Sequence, residues 1–557
     1  MKHFPGMSFL FLLLLLATTS VSNDTPAARH TQSTPEKTLR VFIVAGQSNM
    51  VGSDSKVQDI KNFPPFIGLE KPQKNVRFLY CLGRENKTRS KGWVDLQPVN
   101  NTVGPELSFA RKLSNSIDDP IAIIKCAAGG THLGGDWNPD QPTGFKMYPL
   151  TNQVIQTALQ ELEDQGLKYK IEAVMWHQGE NDMFNEDYLK NYGKNLENFL
   201  AKWRRDLNAP RLKFFIGELC TKTIWGMDLR PRMYAISLGQ KQVTGKDSNA
   251  TYVPTAQIGV EIGGGVGLHY HYGTLGQLQH GVNYADAYLQ SIDKRSKPIR
   301  PLKKWPYPRQ SPIDLYILAG HRNMEGERAF VQFLEQMPSE QMLLQDQPKV
   351  AFKYTLGGGY LVSQGWEPMG LTGYYDTFGP ELSFSRQLLQ SGQTHFAVAK
   401  FTHSGSQIID WTPAGSVAKS RMLYQDFIAF IKQSVKELQA KGNPVNLAGV
   451  IYHAGENDMS FYPYRKEAPQ RIAAIIAQSR KDLNLPNLKW FVSQQPPTDD
   501  QSVNKIDVVT NLSEILATDP LAFHLQYPNL PKQEKKLVIN TAGIIHLGKA
   551  MAEAVLQ

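Results

Sequence analysis

Hydrophobic positions fall along this chain in two alternating patterns. Leu39 to Ala45 (LRVFIVA) is a short, β-branched apolar run bounded by glycine, the mark of a strand buried on both faces. Similar runs recur at Ile121–Lys125, Ile171–Trp176 and Lys213–Gly217. Between them Glu106–Ser114, Leu150–Gln165 and Asp187–Leu207 carry apolar residues at helical spacing. The order then returns, with runs at Ile313–Ala319, Phe396–Lys400, Ala448–Tyr452 and Lys489–Val492. Strands alternating with helices predict a mostly parallel sheet covered on both faces. With right-handed crossovers this becomes a three-layer α/β/α sandwich. The expected fold class is α/β, built as two tandem sandwiches. The stretches Ser53–Ser90 and Leu219–Asn249 read as variable loops.

The recurrence extends to individual residues. LRVFIVAGQSNMVG around Ser48 aligns with IDLYILAGHRNMEG around Arg322. Gly104-Pro105-Glu106-Leu107-Ser108-Phe109 aligns with Gly379-Pro380-Glu381-Leu382-Ser383-Phe384, and Gly179-Glu180-Asn181-Asp182-Met183 with Gly455-Glu456-Asn457-Asp458-Met459. KCAAGGTHLGGDW, starting at Lys125, aligns with KFTHSGSQIIDW, starting at Lys400, after one deletion. So long a period marks a duplicated domain rather than a solenoid. The serine of the first copy is an arginine in the second.

Composition and the chain ends set the context. With 41% hydrophobic and 20% charged residues, both halves can form ordinary cores. A net charge of +9 spread over 557 residues, without a basic-aromatic module, argues against a nucleic-acid partner. Lys2 and His3 precede the apolar run Met7 to Ala17, which is too short to span a bilayer and reads as a signal peptide. The expected organisation is a signal peptide over 1–22, a tether over 23–37, a first domain over 38–295, a proline-rich linker over 296–312 and a second domain over 313–557. An exported protein, secreted or periplasmic, without a membrane anchor follows from that reading. Trp305 and Tyr307 give the linker a means of packing on one domain. Three cysteines, Cys81, Cys126 and Cys220, leave at least one free thiol in a monomer, with a Cys81–Cys126 or Cys126–Cys220 bridge open. Oligomeric state is not legible.

AGQSNM, GPELSFA, KCAAGGTHL and WHQGENDM, in this order, resemble the sialate O-acetylesterase-like carbohydrate esterases of the SGNH hydrolase superfamily, including carbohydrate esterase family 6. The resemblance spans about residues 40–289, and a degenerate form spans 313–556. It implies a carbohydrate O-acetylesterase with an acetylated sugar as substrate and no cofactor. By that resemblance Ser48 is the nucleophile, and Gly130 and Asn181 supply the oxyanion donors, with Gln47 grouped beside them. A tetrahedral intermediate gathers negative charge on one oxygen, which converging neutral donors stabilise.

The base comes from a late histidine. Aligning Gly276–Leu289 with Gly543–Leu556 pairs His271 with Val538, and the family places its base five residues before that glycine. His271 is therefore the expected base and His269 the alternative. The family acid stands three residues earlier, where this chain has Leu268, or Val266 if His269 is the base. Glu180 is the favoured carboxylate, with Glu261, or a Ser–His dyad without an acid, as alternatives. No metal site is expected, because the two late histidines lack a spaced third ligand. His132, His177 and His280 read as local hydrogen-bonding residues, and Cys126 as a buried structural thiol. In the second copy Arg322 and Val538 remove nucleophile and base. Arg322 is expected to pair with Glu325, Glu456 or Asp458, or else to hold an anionic sugar group. The rival function is a non-catalytic glycan-binding protein.

Overall fold

The computed structural model describes residues 37–84, 88–224, 226–260, 270–293, 300–416, 421–494, 508–526, 530 and 538–557. The expected signal peptide, most of the tether, and Glu261, Val266, Leu268 and His269 lie outside the described residues.

The first half supplies strands β1 (Leu39–Gly46), β2 (Gln73–Leu82), β3 (Thr88–Arg89), β4 (Val94–Leu96), β5 (Ile121–Ala127), β6 (Tyr169–His177) and β7 (Lys213–Gly217). A small ribbon, β8 (Thr223–Ile224) and β9 (Met227–Asp228), precedes β10 (Ala250–Val253). The sheet runs β10-β7-β6-β1-β5-β2-β3, with β4 paired to β2. Its six main strands are parallel, and β3 and β4 close one edge antiparallel. The second half repeats this with β11 (Ile313–Gly320), β12 (Gln347–Leu356), β13 (Leu361–Val362), β14 (Glu367–Met369), β15 (Phe396–Thr402), β16 (Val445–Ala454), β17 (Trp490–Gln494) and β18 (Ala522–Leu525). Its order is β13-β12-β15-β11-β16-β17-β18, with β14 on β12. The chain is thus two tandem α/β sandwiches.

Side-chain alternation along β1 explains why its sequence is apolar throughout. Val41, Ile43 and Ala45 enter one core with helices Met147–Asp164 and Glu186–Asp206. Phe42 and Val44 enter the other with helices Glu106–Ser114 and Gly273–Asp293. In β11 Leu315, Ile317 and Ala319 take one face, Tyr316 and Leu318 the other.

Two stretches expected as loops are structured. Residues 53–90 contain β2, whose alternating burial seats it at the side of the sheet. Residues 219–249 contain helix Arg230–Lys246. In both, polar residues face outward and blunt the apolar signal.

Residues 38–557 group as one unit. Of the linker, Tyr307 is buried in the second-half core, and its hydroxyl accepts from Ala351 N at 2.9 Å. Trp305 Nε1 donates to Asn443 Oδ1 at 2.9 Å. All three cysteines are buried free thiols, so neither bridge considered from sequence exists. Cys81 and Cys126 lie side by side in the β2–β5 register, yet burial pushes both thiols up, the behaviour of inert core residues.

Candidate active site

The carboxyl ends of β1, β5 and β6 converge; the connection after β1 runs to one side of the sheet and the one after β5 to the other, the place where open α/β sheets bind ligands. Gln47 N donates to His177 O at 3.1 Å, and Ala128 N to Gly46 O at 3.1 Å, locking the three strand ends together. Gly46, at φ +148, is required there because a Cβ would overlap the His177 carbonyl oxygen. Ser48 follows at the start of the short helix Ser48–Val51 and is half-buried. A side chain on Gly129 would stand 3.6 Å from Ser48 Cβ, so the loop after β5 faces the serine directly.

That loop is shaped by its neighbours. Gly130 has φ +74, and Arg84 Nε donates to Gly129 O at 3.1 Å. Asp182 accepts from Leu133 N at 2.9 Å and Gly134 N at 3.0 Å, tying the loop to the end of β6. Among the described residues neither Gly130 N nor Asn181 Nδ2 has a partner within the protein. Asn181 Oδ1 instead accepts from Gln47 Nε2 at 3.5 Å. Gln47 is buried, and its Oε1 accepts from Gln178 Nε2 at 3.2 Å and Gly179 N at 3.3 Å. It therefore orients Asn181 from beneath the site.

The backbone on either side of His271 is held by the serine's own neighbour. Asn49 Nδ2 donates to Tyr270 O and Tyr272 N donates to Asn49 Oδ1, both at 3.2 Å, so one amide straddles the histidine. Cys220 Sγ also donates to Tyr270 O, at 3.3 Å. The second copy repeats the clamp, with Ile539 N donating to Asn323 Oδ1 at 2.8 Å, which places Val538 where His271 stands.

Glu180 does not reach that imidazole. Its Oε1 accepts from Asn49 Nδ2 at 2.8 Å and meets His177 Nε2 at 3.1 Å. Burial pushes this carboxyl up, but the His177 ring and the Asn49 amide outweigh burial, and the net direction is down. The carboxylate on His271 is Asp54, whose Oδ2 lies 2.6 Å from Nδ1. Sequence reasoning missed it because the two positions are 217 residues apart and Asp54 lies in a stretch read as a loop. One signal was present: Asp54, like Ser48 and His271, is replaced in the second copy, here by Arg328.

The remaining motif residues build the frame. Lys125 Nζ lies 2.8 Å from both Glu106 oxygens, fully buried, and Lys400 repeats the pair with Glu381 at 2.7 Å. His132 meets Asp136 at 3.2 Å, and the resulting hydrogen bond holds its imidazole above the usual range. His280 is wholly buried, and desolvation with His177 nearby keeps it neutral.

In the second half the same place is filled. Arg322 Nε and Nη2 each lie 2.7 Å from a Glu327 oxygen, so among the described residues its hydrogen-bonded carboxylate is Glu327, and Glu456 feels the guanidinium only through its charge. Glu327 has the reach because it sits five residues on, past the turn at Gly326. Ser404 Oγ also donates to it, at 2.9 Å. Asn457, the counterpart of Asn181, donates to Ser404 O at 2.6 Å and Ser406 O at 2.7 Å. Gly405 N, the counterpart of Gly130 N, donates across to Ala256 O of the first half at 2.9 Å. Lys222 Nζ donates to Gly405 O, and Arg230 Nη1 to Gln407 Oε1 at 3.1 Å. Segment 219–249, expected as a variable loop, thus helps cover this part of the second half.

A family model described as carbohydrate esterase, sialic acid-specific acetylesterase, matches residues 38–290 and again 312–557. A probable carbohydrate esterase of Arabidopsis thaliana is 25% identical over 265 residues, covering 45% of this chain and 91% of that protein. Among solved structures, an Arabidopsis thaliana protein aligns at 22% identity and TM-score 0.35, over 45% of this chain and 98% of its own. NanS aligns at 19% identity and TM-score 0.36, over 47% and 99%. A carbohydrate acetylesterase from Xanthomonas citri aligns at 16% identity and TM-score 0.34, over 47% and 58%.

Proposed function

The chain belongs, in each of its halves, to the sialic acid-specific acetylesterase family of carbohydrate esterases, and from this premise we propose that the first half is a serine O-acetylesterase for acetylated sugars. Ser48 Oγ attacks the acetyl carbonyl while His271 takes the hydroxyl proton. Gly130 N–H and Asn181 Nδ2 receive the developing oxyanion. His271 returns the proton to the departing sugar oxygen, and then activates water to release acetate from Ser48. This sequence uses side chains and backbone alone.

The observation that carries the reading is the state of the donors. Beside Ser48 the Gly130 and Asn181 groups have no partner among the described residues, while both counterparts beside Arg322 are engaged. Acetylated sialic acid and acetylated xylan-type polysaccharide both fit this chemistry, and the amino-terminal apolar run supports an exported protein. The second half, on this reading, is a scaffold without an esterase site of its own.

Acetate release across a panel of acetylated glycans, with wild type, Ser48→Ala and His271→Ala, tests the proposal. Each substitution should lower kcat by about 10³-fold or more without changing the fold. Retention of full hydrolysis by a folded Ser48→Ala protein would falsify it. Failure of a serine-reactive organophosphate to label wild-type Ser48, with no acetate released, would favour the glycan-binding alternative.

A further inference from the structure

We propose that Asp54 is the positioning carboxylate of the Ser48–His271 pair, supplied from the turn just after the nucleophile. The inference rests on the esterase reading of the first half and adds to it a residue six positions beyond Ser48.

The contact is direct. Asp54 Oδ2 lies 2.6 Å from His271 Nδ1. With Nδ1 engaged as the donor to a carboxylate, the proton-free nitrogen of the neutral ring is Nε2, the tautomer a base needs. As Ser48 Oγ bonds to the acetyl carbon, its proton passes to Nε2 and the ring becomes imidazolium. Asp54 stays ionised and stabilises that cation. When the bond from the acetyl carbon to the sugar oxygen breaks, the Nε2 proton leaves with the sugar. The second half-reaction repeats the exchange with water.

Backbone geometry supports a purpose for this placement. Asp54 adopts φ 60, a left-handed conformation that aspartate tolerates better than most residues but that still costs energy. It follows Gly52, itself left-handed at φ 99, so the chain doubles back immediately after the nucleophile helix. The Asp54 side chain itself is 63% exposed. Among the described residues its one side-chain hydrogen bond is to His271.

The duplicated half is an internal control. Gly52 and the left-handed turn persist there as Gly326, and so do the counterparts of Asn49, Glu106, Lys125, Glu180 and Asp182. Ser48, Asp54 and His271 become Arg322, Arg328 and Val538, alongside other changes at the site such as Gln47 to His321, Ser53 to Glu327 and Gly129 to Ser404. Arg328 is buried beside Glu327 and over the Phe63 ring of the first half. Loss of all three together is what a functional unit predicts. Glu180 fails the same test, because its counterpart Glu456 is kept beside an inactive centre.

Asp54→Ala and Asp54→Glu, compared with Ser48→Ala on a small acetyl ester, decide the matter. Because the pair is open to water, removing the carboxylate should lower kcat by about 10- to 100-fold, less than in a buried triad. KM should stay within about twofold and the melting temperature should barely move, since the side chain is 63% exposed. Asp54→Glu should recover part of the lost kcat. If Asp54→Ala keeps kcat near wild type while Ser48→Ala is inactive, the assignment of Asp54 is overturned and the esterase reading stands. A fall in kcat matched by a fall in melting temperature, unrescued by glutamate, also overturns it by making the role structural. If wild type releases no acetate, both readings fall together.

Discussion

The two halves share a frame and differ in what fills the end of the central strand. In both, a buried lysine–glutamate pair joins the strand after the second motif to the helix before it, and an asparagine clamps the chain entering the last helix. In the first half Ser48 is half-buried beside unengaged donors, and His271 has Asp54 on its ring. In the second, Arg322, Asn457 and Gly405 N are engaged within the protein, the last of them by the first half. The difference teaches what an open strand end costs. An open site leaves N–H donors without protein partners and holds Asp54 in a strained conformation, whereas a filled one satisfies its groups at home. The family signatures that survive in the second half therefore report the frame and not the chemistry.

The comparison can be broken most forcefully at Arg322. Arg322→Ala leaves Glu327 buried beside a cavity, and should destabilise the protein by about 3–5 kcal/mol in chemical denaturation. Turnover per folded molecule at Ser48 should not change. In a Ser48→Ala background, Arg322→Ser should yield no acetate, because Gly405 N and Asn457 Nδ2 are already engaged. Any activity there would show that the vestigial site is merely unarmed.

Next in size is the asparagine pair. Asn181→Ala should cost about 10²-fold in kcat, as expected for one oxyanion donor. Asn457→Ala should leave acetate release untouched and lower stability by about 1–3 kcal/mol, because two carbonyls lose their donor. Steady-state kinetics and thermal melts on the two variants separate these outcomes.

The smallest contrast lies in the paired glutamates. Burial drives the Glu456 carboxyl up to about 7, with only the Asn323 N–H and weaker contacts opposing it, whereas Glu180 is held below the ordinary carboxylate range. A raised folded value means that Glu456 stabilises most below about pH 4.5 and loses that contribution as pH rises to about 7. A lowered value means that Glu180 contributes above about pH 4.5 and loses its contribution as pH falls. At pH 8, Glu456→Gln should therefore raise stability by about 1 kcal/mol and Glu180→Gln should lower it. Near pH 4.5 the Glu456→Gln gain should vanish. Melting temperatures of equal sign for the two variants at pH 8 would contradict the contrast.

Legibility followed sequence distance. The strand Lys213–Gly217 and the helix Glu106–Ser114 have the bounds that their apolar spacing predicts, because burial on one or two faces writes itself into local periodicity. Ser48 and the loop at Gly130 were likewise readable, since strand-end motifs are contiguous. What failed was pairing. Glu180 sits beside Asn181 in sequence and was expected on His271, but its carboxylate points to Asn49 and His177. Arg322 was expected to find Glu325, Glu456 or Asp458 and finds Glu327. β2 and the helix Arg230–Lys246 were passed over because their exposed faces carry Lys, Asn, Arg and Gln amid the apolar residues.

By itself, then, the sequence determined that one α/β unit is present twice, that its strands are buried, and that the second copy lacks Ser48 and His271. Each of these is written in local pattern and in the register between copies. Only the tertiary structure decided that Asp54 meets His271, that Asn49 links Glu180 to the backbone on either side of the histidine, and that the first half covers part of the second half's strand end. Those contacts join residues from opposite ends of a domain, or from different domains, and depend on how strand ends and turns are set against one another by packing. Side-chain reach over a few ångströms chose the partners, and no periodicity along the chain encodes that choice.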